Sequence, residues 1–599
     1  MHPELERASR LLREGKPLDS AAACGAILAR QPKNAVAAHL LGLALKDTGD
    51  WTQGEEWLRF SIQLQPDCSE FHANLGNLLR RSEDYTRAEV AYRDALRLLP
   101  ESQAARRGLA LTLNDLKRYA EAEAECRALL AADAADGEAW AILGIALMNS
   151  GRHTEAESAC RRAIALDPKN AIAHHNLGAL LVQLERSEAL DALDTARALG
   201  ADGYEASFNR GRAHLNDGDL DAAEKGFARA AELQPRNLEA QQTLARVRFM
   251  LGDPDFARTL AAACTANSGD ERLWRLLGEL LWQAGELAAA ETLLQEFLRR
   301  TGPSSGLQST LAAILRDEGR LNEAEALALE AAASAPEDQA VIMSLVSIML
   351  ARGAAGDASA FITAQLQRFP DSQAWLAYEA TAARLLGTER YRELYDYERF
   401  VRVFDLEAPR GFGSMAEFNR ALGATLDERH HFSRPPLDQT LRNGTQTSRS
   451  LLSDSDPLVQ AALEAFAAPI EEYRRSITAG ADHPLARANV GVSRFTGAWS
   501  VRLHRAGYHV NHFHPEGMLS SAYYVQVPPE VRDQDRKSGW LKFGEPRHPV
   551  PGATAERFVQ PQPGRLVLFP SYMWHGTNPI HGDETRVCIA FDVRPARPQ

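Results

Sequence analysis

This 599-residue chain is short of several things that would have fixed its class early. It has six cysteines: Cys24, Cys68, Cys126, Cys160, Cys264 and Cys588. They are scattered and form no Cys-x-x-Cys pair, so neither a disulfide framework nor a cysteine zinc site is expected. Reduced thiols of a cytoplasmic protein are the expectation. No apolar run approaches the 18 or more residues of a membrane span. The first residues, MHPELERASRLLREGK, lack the apolar stretch of a secretory signal. Excess positive charge is missing too: the net charge is −13, which argues against nucleic acid as the main partner. What remains, with 45% hydrophobic and 25% charged residues, is the composition of a globular protein too long for one core.

Several prolines fall at a regular spacing. Pro32, Pro66, Pro100, Pro168, Pro235, Pro303, Pro336 and Pro370 are separated by 34, 34, 68, 67, 68, 33 and 34 residues. Asp133, Asp202 and Gly269 stand near the missing phases. Leu41-Gly42, Leu75-Gly76, Leu143-Gly144 and Leu177-Gly178 recur in register, where a small residue lets paired helices approach closely. Ala88, Ala91, Tyr92 and Ala95 form a stripe at helical spacing, and Pro100 ends that unit. This 34-residue pattern resembles the tetratricopeptide (TPR) repeat. About eleven units fit residues 1–370, as an all-α solenoid whose groove binds a protein or peptide. Trp140 and Trp274 read as packing residues. His174 and His175 diverge by about 100° on one helix, a poor chelate.

Residues 371–410 read as a helical cap or linker, and residues 411–599 as a second domain. Ten of the seventeen histidines lie after residue 429. Segment 437–447 is polar and helix-poor, and 457–477 reads as a helix. From about residue 490 to 597 come short β-rich segments separated by Gly, Pro, Asn and Asp. Seven or eight such strands suit a jelly roll.

Two imidazoles of His512-Phe513-His514, at i and i+2 on an extended segment, share one side. His575 supplies a third imidazole from a distant strand. Arg586 follows eleven residues on, and Asn578, Pro579, Gly582 and Asp583 suit a turn between them. A hairpin centred near Ile580-His581 would set His575 opposite Arg586. Such a set can hold a divalent metal on one face and offer a guanidinium to an acidic co-substrate. Ser521 and Tyr523 share a strand face by alternation and could add a hydroxyl. His504, His509, His548 and His581 read as structural, and Trp499, Trp540 and Trp574 as core or pocket wall.

The linked motifs NHFHPEGMLSSAYYVQVP, GWLKFGEP, PQPGRLVLFPSYMWHGTNP and RVCIAFDV resemble the double-stranded β-helix of 2-oxoglutarate/Fe(II)-dependent oxygenases. The likeness is to the His-x-His-Pro type and, more distantly, to aspartyl/asparaginyl β-hydroxylases. It covers residues 435–597. It implies Fe(II) and 2-oxoglutarate as cofactors, His512 and His575 as metal ligands and Arg586 as the 2-oxoglutarate anchor. The commoner His-x-Asp/Glu pattern is not met. His514, Glu516 or water is therefore left as the third ligand. Hydroxylation of a polypeptide recruited by the repeats is the expected activity. The alternatives are a non-catalytic adaptor with a degenerate cupin-like domain, and another metal enzyme such as a sugar isomerase.

Overall fold

The computed structural model describes residues 3–437, 439–477 and 483–595. The chain divides into two compact units, Met1–Asp202 and Gly203–Gln599.

In the first unit the described helices, from Pro3 to Ala198, run as six antiparallel pairs. The starts are set by capping side chains: Asn34, Asp50, Asp84, Ser102, Asp136 and Asn170 each accept a hydrogen bond from the backbone N–H three residues on. Tyr92, 1% exposed, fills the space left beside Gly76 and Gly108, where a Cβ would strike its ring. Its hydroxyl donates to Asn77 Oδ1 at 2.7 Å. An arginine at the head of the second helix of successive pairs ties each pair to the one before. Arg118 bridges Glu89 (2.7 Å) and Glu121 (2.6 Å). Arg152 bridges Glu123 and Glu155, and Arg186 bridges Glu157 and Glu188. One exposed pair of this kind contributes little by itself; repeated in phase, it favours one stacking register.

The second unit opens with five more pairs, from Tyr204–Asn216 to Ala355–Arg368, and Arg320 repeats the clamp with Glu291 and Glu323. Helices Gln373–Leu386, Glu389–Leu394 and Tyr397–Phe400 follow. Among the described residues nine strands come next: β1 (Arg402–Asp405), β2 (Leu441–Gln446), β3 (Ser493–His509), β4 (Leu519–Gln526), β5 (Leu541–Phe543), β6 (Arg557–Val559), β7 (Arg565–Pro570), β8 (His575–Thr577) and β9 (Arg586–Pro595). They form a six-stranded antiparallel sheet, β1-β7-β4-β9-β3-β2, and a three-stranded one, β6-β5-β8. The chain is thus a TPR helical solenoid followed by a jelly-roll-like antiparallel β-domain. Helices Met415–Asp427 and Pro457–Ser476 cover the larger sheet with Phe418, Leu422 and Phe466. The Phe466 ring stacks on Phe591 with centroids 4.8 Å apart.

The β-domain takes in more of the chain than its motifs reveal. β1 pairs with β7 although it lies in the stretch read as helical linker, and β2 lies in the stretch read only as polar. The former is a four-residue edge strand and the latter has little apolar alternation, so neither carries a strong strand signal. Helix Gln373–Leu386 sends Leu376, Ala377 and Ala380 into the same core as the barrel. The late repeats are bound to it as well. Arg384 donates to Gly544 O and Thr554 O, both at 2.8 Å, and pairs with Glu556. His548 meets Asp317 at 3.1 Å.

Candidate metal centre

β3 bends before it reaches the site. Asn443 and Ala506 take left-handed backbone conformations, and the β2–β3 register slips between Arg442 and Gly444. A Cβ at Gly507 would collide with the carbonyls of Asn443 and His504, so only glycine fits this bulge. The bend takes the chain out of the larger sheet and onto β8 of the smaller one. There His512 N donates to His575 O (2.8 Å) and His575 N to His512 O (2.9 Å). Gly576 lets Asn511 pack against β8, since a Cβ would strike the Asn511 amide oxygen.

Three imidazoles converge as a result. His512, His514 and His575 offer ring nitrogens that all lie within 4.8 Å of one another. His512 Nε2 is 3.1 Å from His514 Nε2. The other nitrogen of each ring is engaged. His512 Nδ1 meets Val510 O (2.8 Å), His575 Nδ1 meets Met573 O (2.9 Å), and His514 Nδ1 meets Asp592 Oδ2 (2.7 Å). A carbonyl or carboxylate partner makes Nδ1 the donor, which leaves Nε2 as the nitrogen each ring can offer to a metal. Burial pushes the pKa of His512 down to about 3 and that of His575 well below its ordinary value, with the neighbouring His514 ring lowering both further.

This donor set fits a transition metal. Two nitrogens about 2.1 Å from one octahedral ion, at right angles, stand about 3.0 Å apart. Glu516 is exposed and lies outside the cluster, in an outer groove with Arg494 and Arg594.

A cavity of about 310 Å³ extends from the histidines to Arg586. Arg586 is 2% exposed. Its Nη1 donates to Gly539 O at 2.6 Å, its Nε has no partner, and among the described residues no carboxylate pairs with it. The Tyr524 hydroxyl, also without a partner, belongs to the same cavity, and its ring lies 5.5 Å from the guanidinium carbon. A buried unpaired cation is costly. A carboxylate entering from the metal side would remove that cost and use both orphaned groups. The residues therefore fit 2-oxoglutarate.

The expected hairpin is not there. β8 pairs with β5, whereas Arg586 opens β9 and pairs with Leu503 of β3. His575 and Arg586 line one cavity from different sheets, because Ile580 is tied to the β3 bulge through Ala506 and Gly507. The hydroxyl assignment also changes. Tyr523 faces the covering helix and donates to Asn419 Oδ1 at 2.6 Å, and Ser521 donates to Phe591 O at 2.9 Å. Ser521, Ala522 and Tyr524 line the cavity, and Ser520 donates to Asp592 at 2.7 Å. Tyr524, Asp592 and His509 were not singled out from the sequence as cavity residues. His509, read as structural, borders the cavity, with its Nδ1 3.0 Å from Thr440 Oγ1. Alternation along β9 from Arg586 would have found Asp592.

Residues 497–592 match the family model described as "Putative 2OG-Fe(II) oxygenase". Residues 73–137, 179–237 and 243–305 match one tetratricopeptide-repeat model, and 137–170 match another. The chain carries tetratricopeptide repeats and, C-terminal to them, a domain of that oxygenase family. No curated protein matches it. Among solved structures, it is similar to a tetratricopeptide repeat protein from Parabacteroides merdae (16% identity, 40% of this chain and 96% of that one, TM-score 0.36). It is also similar to yeast Tom70 (14% identity, 66% and 97%, TM-score 0.35). A third is the TPR protein TTC0263 of Thermus thermophilus (23% identity, 30% and 100%, TM-score 0.28). Among the described residues no helix is long and apolar enough to cross a membrane.

Proposed function

We propose that this protein is an Fe(II)/2-oxoglutarate-dependent dioxygenase that hydroxylates a protein or peptide recruited by its repeats. One observation carries the reading: three convergent imidazoles and one buried guanidinium without a carboxylate partner among the described residues line a single cavity. His512, His514 and His575 hold the metal. Arg586 binds the far carboxylate of the keto acid through its fork, with Tyr524 donating beside it. Bound iron and 2-oxoglutarate supply oxidative decarboxylation coupled to oxygen insertion.

The chain's own residues orient and exclude. Asp592 fixes the His514 tautomer and raises its basicity as a ligand. Leu541, Phe569 and Val501 keep the cavity apolar around its few polar groups. The six free cysteines accord with a reducing, cytoplasmic setting. The test is to recover proteins bound by the full chain and by H575A. Under the proposed activity, a wild-type partner carries one added oxygen atom on a residue that stays unmodified with H575A. Identical masses from both would count against it.

A further inference from the structure

The inner row of β9 does not end at Asp592. Arg586, Cys588, Ala590 and Asp592 alternate along the cavity wall, and Arg594 is next in the row. Arg594 stands directly opposite Arg494 of β3. Directly opposed residues of an antiparallel pair share a face, and like charges there repel. Neither guanidinium has an ion-pair partner among the described residues, and Arg594 Nε is buried with no acceptor.

Both arginines line a second, open groove of about 540 Å³. His514, Asp592 and Trp499 border that groove and the inner cavity alike, so the two meet at the metal-ligand cluster. The groove is shaped for this. Thr496 is bulged out of the β3–β9 register, and the Trp499 indole lies over Gly497, where any Cβ would collide with it. The groove's own carboxylates do not neutralise the pair: Asp592 is held by His514 and Ser520, and Glu516 forms no ion pair among the described residues.

We infer that Arg494 and Arg594 form a subsite for an oxyanion of the substrate, a carboxylate or phosphate group placed beside His514. This rests on the oxygenase reading and extends it to the substrate's chemical class. The row along β9 then has two jobs: a deep guanidinium for the co-substrate and an outer pair for the substrate.

The test is equilibrium binding to the full chain loaded with Co(II) and saturating 2-oxoglutarate, which occupies the inner site. The probes are N-acetylglutamate amide, N-acetylphosphoserine amide and, as neutral control, N-acetylglutamine amide. An acidic probe should bind at least about tenfold more tightly than the glutamine amide, as a charge-assisted contact of about 1.5–3 kcal/mol requires. Whichever acidic probe binds better identifies the group. R494Q/R594Q should abolish the preference, leave Co(II) and 2-oxoglutarate binding unchanged, and raise the Tm by removing the like-charge contact. Equal binding of acidic and neutral probes, no binding of any acidic probe, or a preference that survives in R494Q/R594Q would overturn the subsite. If Co(II) or 2-oxoglutarate fails to bind, the oxygenase reading falls. The same probe comparison on the metal-free protein then still decides the subsite.

Discussion

His512 Nε2 stands 3.1 Å from His514 Nε2 while both rings engage acceptors through Nδ1. Two ring nitrogens therefore face each other, an arrangement that a shared proton or a metal ion between them makes favourable. Added Co(II) or Mn(II) should raise the Tm, because a ligand that binds only the folded state stabilises it by mass action. H514A should lose most of the affinity, D592N about 10–100-fold, and E516Q none. Direct metal titration reads all three. An E516Q loss as large as that of H514A would transfer the third ligand to Glu516.

Arg586 should separate co-substrate binding from metal binding. Truncating a buried, ion-paired contact costs about 2–5 kcal/mol, so R586A should weaken 2-oxoglutarate binding by at least about 30-fold at unchanged metal affinity. Y524F should lose about 0.5–1.5 kcal/mol, one hydrogen bond. Without ligands, R586M should be no less stable than wild type, since the guanidinium it removes is buried and unpaired. Calorimetric titration and thermal melts check both halves. Unchanged keto-acid affinity would make Arg586 structural.

Truncation should locate the working boundary. The motifs suggest that a fragment starting near residue 400 suffices for the chemistry. The packing says otherwise. The Trp574 backbone N–H donates to the Tyr395 hydroxyl at 2.8 Å, and Trp574 Nε1 donates to Ala377 O and Thr381 Oγ1. Those contacts fix the turn that carries His575. A fragment of residues 203–599 should fold and bind Co(II), while one of residues 400–599 should not. Circular dichroism and metal binding distinguish them, and a folded, metal-binding 400–599 fragment would refute the coupling.

Acid should weaken the second unit through His430. Its ring is buried between Thr445 Oγ1 (2.8 Å) and Ser500 Oγ (3.0 Å), and burial, aided by Arg502, pushes its pKa down to about 3. The unfolded chain takes up the proton near pH 6.5 and the folded one only near 3. The unfolded state thus binds more protons between these values, and stability falls as pH falls through that window. The group contributes up to about 1.4 kcal/mol per pH unit. H430Q should melt lower at pH 7 but lose less Tm between pH 6.5 and 4.5. A parallel loss in both proteins would show that His430 is not responsible.

The repeats were legible because their signals are local: a helical apolar stripe, Leu-Gly pairs and a proline at a 34-residue period. The cluster was legible because His512, His514 and His575 lie within recognisable motifs. What stayed hidden depends on distant packing. The β3 bulge at Ala506-Gly507 separates His575 and Arg586 into two sheets, a step that turn residues alone do not reveal. It also required pairing partners to see that Tyr524, not Tyr523, faces the cavity beside Ser521. Asp592 acts through His514, 78 residues away in sequence, so no short motif joins them.

The most direct test is succinate formation by the full chain given Fe(II), 2-oxoglutarate and oxygen, without added substrate. Slow, iron-dependent succinate release is expected, abolished in H512A and H575A, strongly reduced in R586A, and retained in R494Q/R594Q. A folded protein that binds iron and 2-oxoglutarate at these residues, yet releases no succinate alone or with cell extract, would contradict the dioxygenase account and leave the β-domain a binding module.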